Sequence, residues 1–420
     1  MTDAIQVQGW CPSAWQPMRA QDGWMVRVRP HCASISAAQW RLLAQLALSQ
    51  AHSQIELTRL GNVQLRGVSE PQQVRSQLIA AQLVPVDADA DLAPAVHCTP
   101  LYRSGDATHA LALWLSAAVV ERLSPHALAR QAVAALPGKF GLLVDDPDRH
   151  MQSIAADLHL WVAADQGYCL ALGDAADWYC FAHAQDAVEA AVQVALWFAS
   201  ARATITPAPT RLRGLLPYRQ PDLPALRAAQ RRAAVADGGS PAQALSPGQH
   251  AGQGWVMAAP LGRIDAAAMH QLASDLPAHT AIRVTAWRSL LVDAPAMESH
   301  IARLDPAHWI TQPDDVRLRV SACTGAPRCT QALIPAQAMA LALAAQVAEN
   351  KHLHVSGCAK FCALAADASG VLYASRGAGG EVLLNASAVD QRARPGPPIS
   401  SLAHTEAPEK IQELLHDLHL

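Results

Sequence analysis

The sequence predicts an α+β protein built as an internal duplication, and three observations lead there. Two distant segments share one order of apolar runs and helix starts, strand-like stretches and a helix lie between them, and four cysteines gather late in the chain. At 420 residues the chain is long enough for about three domains, and at 51% hydrophobic residues it has ample material for their cores.

The first repeated segment is residues 22–68 and the second is 253–292. In each, a Gly-Trp pair opens a strand, a turn follows, Ser36 or Asp265 starts a helix, and two strands close the unit. Serine and aspartate suit that place because their side chains accept hydrogen bonds from the free N–H groups of a first helical turn. Leu42, Leu43 and Leu46 then recur at helical spacing. IELTR and IRVTAWR occupy equivalent places. One β-α-β-β unit exposes an apolar sheet face that it cannot cover alone, so the two copies are expected to pair into one pseudo-symmetric sheet.

Between the repeats, residues 91–209 carry strand-like stretches (AVHCTPL, HALALWL, KFGLLVDD, LHLWVAA, GYCLALG) and one helix, DAVEAAVQVALWFASA. Residues 210–253 then shift to Pro, Gly, Gln and Ala without a period, which predicts a mobile linker over their later part. PAQAMALALAAQVAEN is short and punctuated, and reads as an amphipathic helix. The expected organisation is a first half-domain over 1–90, a first α/β unit over 91–217 and a linker over 218–252. A second half-domain over 253–315, a second α/β unit over 316–405 and a tail over 406–420 follow.

A formal charge of −3 gives no electrostatic case for nucleic acid or an anionic membrane surface. No apolar run approaches the roughly 20 residues of a membrane helix. The opening MTDAIQVQGW lacks a charged segment followed by an apolar run, and a cytoplasmic protein is expected. No Gly-x-Gly-x-x-Gly follows a strand, so electrons are expected from a separate donor rather than from a tightly bound dinucleotide.

Cys323 and Cys329 stand in SACTGAPRCTQA, and Cys358 and Cys362 in HVSGCAKFCAL; five residues separate the first pair, three the second, and 28 lie between the pairs. Four thiolates complete one [4Fe–4S] cubane, each iron taking one sulfur. The flanking Gly325, Ala326, Gly357 and Ala359 allow close backbone approach and N–H groups turned toward sulfur. The spacing differs from the Cys-x2-Cys pairs of zinc sites and from the tight run of bacterial ferredoxins. Zinc and disulfides are the competing readings, the second requiring an oxidising compartment. The isolated Cys11, Cys32, Cys98, Cys169 and Cys180 read as structural.

TRLGNVQLRGV, LPGKFGLLVDD, ACTGAPRC and VSGCAKFC together resemble the sulfite/nitrite reductase superfamily, in the right order over nearly the whole chain. The resemblance implies two ferredoxin-like half-domains that pair, and two α/β units holding a [4Fe–4S] cluster beside a tetrapyrrole site. Within that superfamily, GWCPSAWQPMRAQDGWMVRVRP and VTAWRSLLV are similar to the precorrin-3B synthase family of aerobic cobalamin biosynthesis. That similarity implies an oxygen-dependent monooxygenase acting on precorrin-3A. It also implies dioxygen, an electron donor (NADH or a reductase partner), the cluster and an additional non-haem iron. The reaction would hydroxylate the meso carbon that is later expelled, with a ring A acetate closing a γ-lactone. The alternatives are a siroheme-dependent sulfite or nitrite reductase, with Cys362 bridging to the haem iron, and a non-catalytic [4Fe–4S] electron carrier.

Sulfite reductases surround their anion with four basic side chains, and Arg59 and Lys139 match two of them. Gly141 stands at the second lysine, and Pro94 or Ala95 at an arginine. Phe361 replaces the family's glycine before the last cysteine, and Leu364-Ala365 its His-Pro. An incomplete cage weakens the case for reducing a small dianion and suits a larger substrate. A tetrapyrrole carries many carboxylates and calls for arginines on rigid strands. Period two places Asn62, Gln64 and Arg66 on one strand face and Val63 and Leu65 on the other. Arg59, Arg66, Lys139, Asn62 and Gln64 are therefore the substrate-binding candidates, followed by Arg27, Arg29, Arg211, Arg213 and Arg288. His352 and His354 share a strand face leading into Cys358, which suggests iron ligands without fixing a set. No catalytic residue is assigned.

Overall fold

Both repeated segments fold as their patterns predict. The computed structural model describes residues 11–233, 243–293, 297–364, 367–390, 394–404 and 407–418. In the first copy, strand Gly23–Val28 leads to helix Ala37–Gln50 and strands Gln54–Leu57 and Val63–Val68. Ser36 caps the helix by accepting from the Gln39 N–H at 3.3 Å, while the Gln39 side chain accepts from the Ser36 N–H at 2.9 Å. In the second copy, strand Gly254–Ala258 leads to helix Ala266–Asp275, capped by Asp265, and strands Ala281–Val284 and Ser289–Val292.

The copies do not merge into the single sheet expected of them. They form two five-stranded sheets that exchange a strand. Arg263–Asp265 of the second copy pairs with Gln54–Leu57 of the first, and Ser34–Ser36 of the first pairs with Ala281–Val284 of the second. Each donated strand lies just before its own helix, so both helices are carried into one shared core with Ile35, Ile264, Trp40 and Met269 fully buried. The Trp40 indole N–H donates across that core to the Ile282 carbonyl at 3.2 Å.

The two α/β units repeat one topology. In the first, Ala95–Cys98, Gly141–Asp145 and Leu158–Val162 are parallel; Tyr168–Leu172, Asp177–Phe181 and Gln230–Ala233 extend the sheet antiparallel. In the second, Val320–Ala322, Leu353–Ser356 and Gly370–Arg376 are parallel, followed by antiparallel Val382–Ala388 and Ser400–Ala403.

Three expectations are corrected. HALALWL lies inside helix Ala107–Leu123, started by Asp106 and buried through Leu111, Leu115 and Val119 at helical intervals. Of the expected linker, 224–228 form a helix, 230–233 the edge strand of the first α/β sheet, and 248–250 a strand of the second-repeat sheet; its middle, 234–242, lies outside the described residues. The expected tail forms helix Ala407–Asp417, with Leu414, Leu415 and Leu418 reaching the last core. Among the described residues, no helix is long and apolar enough to cross a membrane.

Candidate functional site

The four late cysteines lie on two loops at the carboxyl ends of adjacent parallel strands, Val320–Ala322 and Leu353–Ser356. Loops at the carboxyl ends of parallel strands are where α/β sheets bind ligands, because the backbone turns there expose N–H groups and leave room between loops. The loops interlock. The Gly357 N–H donates to the Cys323 sulfur at 3.0 Å, Leu333 N–H to the Gly357 carbonyl at 2.8 Å, and Cys329 N–H to the Gly325 carbonyl at 3.0 Å. Two glycines are sterically required. A Cβ on Gly325, which sits at φ +69°, would stand 2.6 Å from the Ala336 nitrogen, and one on Gly357 2.6 Å from the Ala332 Cβ.

Burial first, and then the neighbouring cysteines, push the thiols of Cys358 and Cys362 up. Mutual repulsion of this kind marks sulfurs that converge. Yet no three of these sulfurs lie within 4.8 Å of one another. A tetrahedral zinc with Zn–S near 2.3 Å would hold its thiolates within about 4 Å.

Over the cysteine loops lies the polar face of the first-repeat sheet. Val63 and Leu65 enter the core, while Gln64 and Arg66 take the opposite face, as period two predicts. The Arg66 Nε donates to Asp22 at 2.7 Å, and its Nη2 reaches the Arg328 carbonyl at 3.3 Å, beside Cys329. Arg328 in turn donates to Gln54 at 2.9 Å. Gln64 bridges Glu56 at 2.8 Å and Arg27 at 3.1 Å, and Glu56 also pairs with Arg263 at 3.1 Å. Arg59 crosses to the segment after Cys362, donating to the Leu364 carbonyl and to Asp367, each at 3.4 Å.

Arg288 completes the group through a turn shared by the repeats. Thr58 and Thr285 each close a turn, their N–H groups donating to the carbonyls of Asn62 and Ser289 at 2.9 Å. The left-handed place in the first turn is Gly61 at φ +66°; in the second it is Arg288 at φ +58°. Gly262 makes room for that arginine, since a Cβ there would stand 2.9 Å from the Arg288 Cβ. Burial, and then repulsion from Arg59 and Arg263, lowers the Arg288 guanidinium to about 10. Burial likewise lowers Arg59 and Arg263. Several guanidiniums are thus desolvated together with few carboxylates among them, an arrangement that favours an anionic ligand.

Not every sequence candidate joins this group. Lys139 is exposed on the loop before Gly141–Asp145, and among the described residues no hydrogen bond or ion pair ties it to the arginines. Asn62 lines a small cavity with Arg29 and His97. Arg29 is held by the carbonyls of Asp91 and Ala93, Arg211 by Asp157, and Arg213 by Asp174 at the surface. His352 and His354 do share one face, but they do not converge on an ion: Ser321 Oγ sits between them, 2.9 Å from His352 Nε2 and 2.9 Å from His354 Nδ1.

Sequence reasoning missed Arg263, Arg328 and Glu56, whose roles arise only when the strand exchange and the cysteine loop meet. It also missed Asp146, Asp148 and His150, whose ligand atoms lie within 4.8 Å of one another. These follow strand Gly141–Asp145, the topological counterpart of Leu353–Ser356 ahead of Cys358. The signal was available as DDPDRH, read only as the end of a strand.

Residues 16–73 match the nitrite/sulfite reductase ferredoxin-like half domain. A precorrin-3B synthase from Sinorhizobium sp is 43% identical over 68 residues, a stretch covering 16% of this chain and 15% of that protein. The structure of the Mycobacterium tuberculosis NirA protein superposes with a TM-score of 0.65 at 17% identity, over 94% of this chain and 80% of that one. The chain therefore carries the nitrite/sulfite reductase ferredoxin-like half domain over residues 16–73 and shares the fold of the NirA protein.

Proposed function

We propose that this chain, with its reductase-type fold, is a precorrin-3B synthase: an oxygen-dependent monooxygenase acting on precorrin-3A. The observation that supports this most is the makeup of the cation group. Of the four basic residues a small-anion reductase needs, only Arg59 joins the group, half-buried, since Lys139 is exposed and Gly141 and Pro94 or Ala95 offer no charge. In their place are Arg263 and Arg288, desolvated guanidiniums suited to the peripheral carboxylates of a large tetrapyrrole.

Cys323, Cys329, Cys358 and Cys362 would hold a [4Fe–4S] cluster, and the four-sulfur donor set with glycines where a Cβ would collide fits that group. When bound, it supplies electrons one at a time. The net reaction places one oxygen atom in the substrate and releases the other as water, consuming two electrons and two protons. Arg59 and Arg288 would orient substrate carboxylates; Arg66, fixed by Asp22, would brace the Cys329 loop. For the separate iron, Asp146, Asp148 and His150 would supply carboxylate and imidazole donors of the kind non-haem iron takes, with Asp146 exchanging its hydrogen bonds to His150 and Thr99 for the metal.

Anaerobic purification followed by a visible spectrum and an iron count tests this reading. A broad iron–sulfur absorption without siroheme bands, more iron than one cubane holds, and conversion of precorrin-3A only with dioxygen and reductant are expected. Siroheme bands with sulfite or nitrite reduction would replace it with a reductase. A cluster without either activity would leave an electron carrier.

A further inference from the structure

Cys169 and Cys180, isolated from one another in the sequence, become neighbours in the fold. They stand opposite each other on the antiparallel strands Tyr168–Leu172 and Asp177–Phe181 of the first α/β sheet, with their sulfurs 2.9 Å apart. Both are free thiols, in a different unit from the four late cysteines. Leu160, Leu170, Leu172 and Phe181 take one face of this sheet into the main core of the unit. The two sulfurs take the other face, in a small separate cluster with Trp161 and Trp178. Arg149 lies over both indole rings, 5.6 and 5.3 Å from their centroids. A packing role on this face asks only for a small apolar side chain, which Ala171 supplies opposite Trp178. Two thiols in register ask for another reason.

The geometry suits a covalent bond between them. Residues opposed on antiparallel strands hold their Cα atoms about 4.5–5.5 Å apart, inside the roughly 4.4–6.8 Å that a disulfide spans. Sulfurs at 2.9 Å need close by only about 1 Å to reach a bond of about 2.05 Å. The two thiols differ in access. Cys180 lines an open groove of about 540 Å³ with Asp165, Phe181, Asp186, Gln230 and Arg232, and Cys169 does not reach it. Cys169 is 1% exposed. Burial, and then Cys180, push the Cys169 thiol up, so Cys169 keeps its proton and donates S–H to the Cys180 sulfur.

We propose that Cys169 and Cys180 form a thiol–disulfide exchange site, separate from the cluster cysteines, that reacts with small disulfides of the glutathione disulfide class through the groove at Cys180. Cys180 loses its proton and its thiolate attacks one sulfur of the disulfide RS–SR; that S–S bond breaks and RS⁻ leaves. Cys169 gives its proton to this leaving thiolate and attacks the Cys180 sulfur, expelling the second RS⁻, which takes up the proton that Cys180 released. The protein loses two hydrogen atoms and is oxidised, and RS–SR is reduced to two RSH. A small dithiol runs the sequence backward.

Peptide mapping of the full chain tests it. No lysine or arginine lies between Arg149 and Arg202, so trypsin releases residues 150–202 with Cys169 and Cys180 as the peptide's only cysteines. The folded protein is equilibrated with glutathione disulfide, quenched in acid, alkylated in denaturant and digested. The untreated, reduced protein is expected to give this peptide with two alkyl groups. After glutathione disulfide the peptide should carry none and be two hydrogen atoms lighter, and dithiothreitol should restore both alkylation sites. Two alkyl groups after an excess of glutathione disulfide would overturn the site, as would glutathione left attached to the wild-type peptide. Cys169→Ala should trap glutathione on Cys180 as a stable mixed disulfide, whereas Cys180→Ala should leave Cys169 unmodified; the opposite pattern would overturn attack from the groove. Wild-type protein decides the pairing even where a variant fails to fold. The readout involves neither the cluster nor turnover, so its failure leaves the oxygenase reading standing, and the failure of that reading leaves the exchange site standing.

Discussion

Position 288 shows what a single residue gives up for its place. The second repeat holds an arginine in the left-handed conformation that its partner turn fills with Gly61, a cost of order 1–3 kcal/mol for a non-glycine residue. Arg288→Gly is expected to raise the melting temperature by a few degrees and to weaken tetrapyrrole binding about 10-fold, read by thermal melts and ligand fluorescence. His97 makes a second test. Burial, then Arg29, lowers its imidazole to about 4, so between about 4 and 6.5 the unfolded chain binds a proton that the folded chain refuses. Stability is therefore lost as pH falls through that window, by up to about 3 kcal/mol, and His97→Gln should flatten the melting temperature between pH 7 and 5. Cys329→Ser and Cys358→Ser should each remove cluster absorbance and its iron, and retained absorbance in both would refute the ligand assignment. That the four cysteines lie on neighbouring loops was legible because their spacing and glycines are local. Arg263 and Arg328 were not, because nothing near either one in sequence signals the sheet it meets.

Elements followed local chemistry where a cap or a period was present. Ser36 and Asp265 start their helices as expected, and Ser36→Ala should cost about 1 kcal/mol, measured by denaturant unfolding. HALALWL misleads because a short apolar run suits a strand as well as a helix; the decisive signal is Asp106, whose side chain accepts from His109 N–H at 2.7 Å. Strand Gln230–Ala233 reads QRRA, with no apolar alternation, and is held as an edge by its ladder to Asp177–Phe181 and by ion pairs of Arg231 with Asp177 and Arg232 with Asp165. The last helix did carry a signal, Ile411, Leu414, Leu415 and Leu418 at helical spacing. Phe361 is the converse case. The backbone takes φ +53° at a residue that is not glycine, and the ring packs edge-on against Tyr373 with centroids 4.8 Å apart.

At the scale of the molecule, duplication was visible because each copy repeats its own local pattern. The strand exchange was not, because Ile35 meets Ile282 and Ile55 meets Ile264 through strands of three or four residues with no local mark of their partner. The exchange makes neither half self-sufficient. A fragment ending at residue 230 leaves Gln54–Leu57 as an open edge and is expected to be protease-sensitive and aggregation-prone, whereas co-expression with the remainder should restore a resistant core. The same feature sets a clock on biogenesis. Residue 263 leaves the ribosome roughly 200 residues after residue 57, which at about 5–20 residues per second is a wait of about 10–40 s. During that interval the first sheet is synthesised but unfinished, and the cysteines of the second α/β unit have yet to appear. By the order of translation alone, the strand that closes the first sheet is available before the cysteine loops that dock against that sheet's polar face.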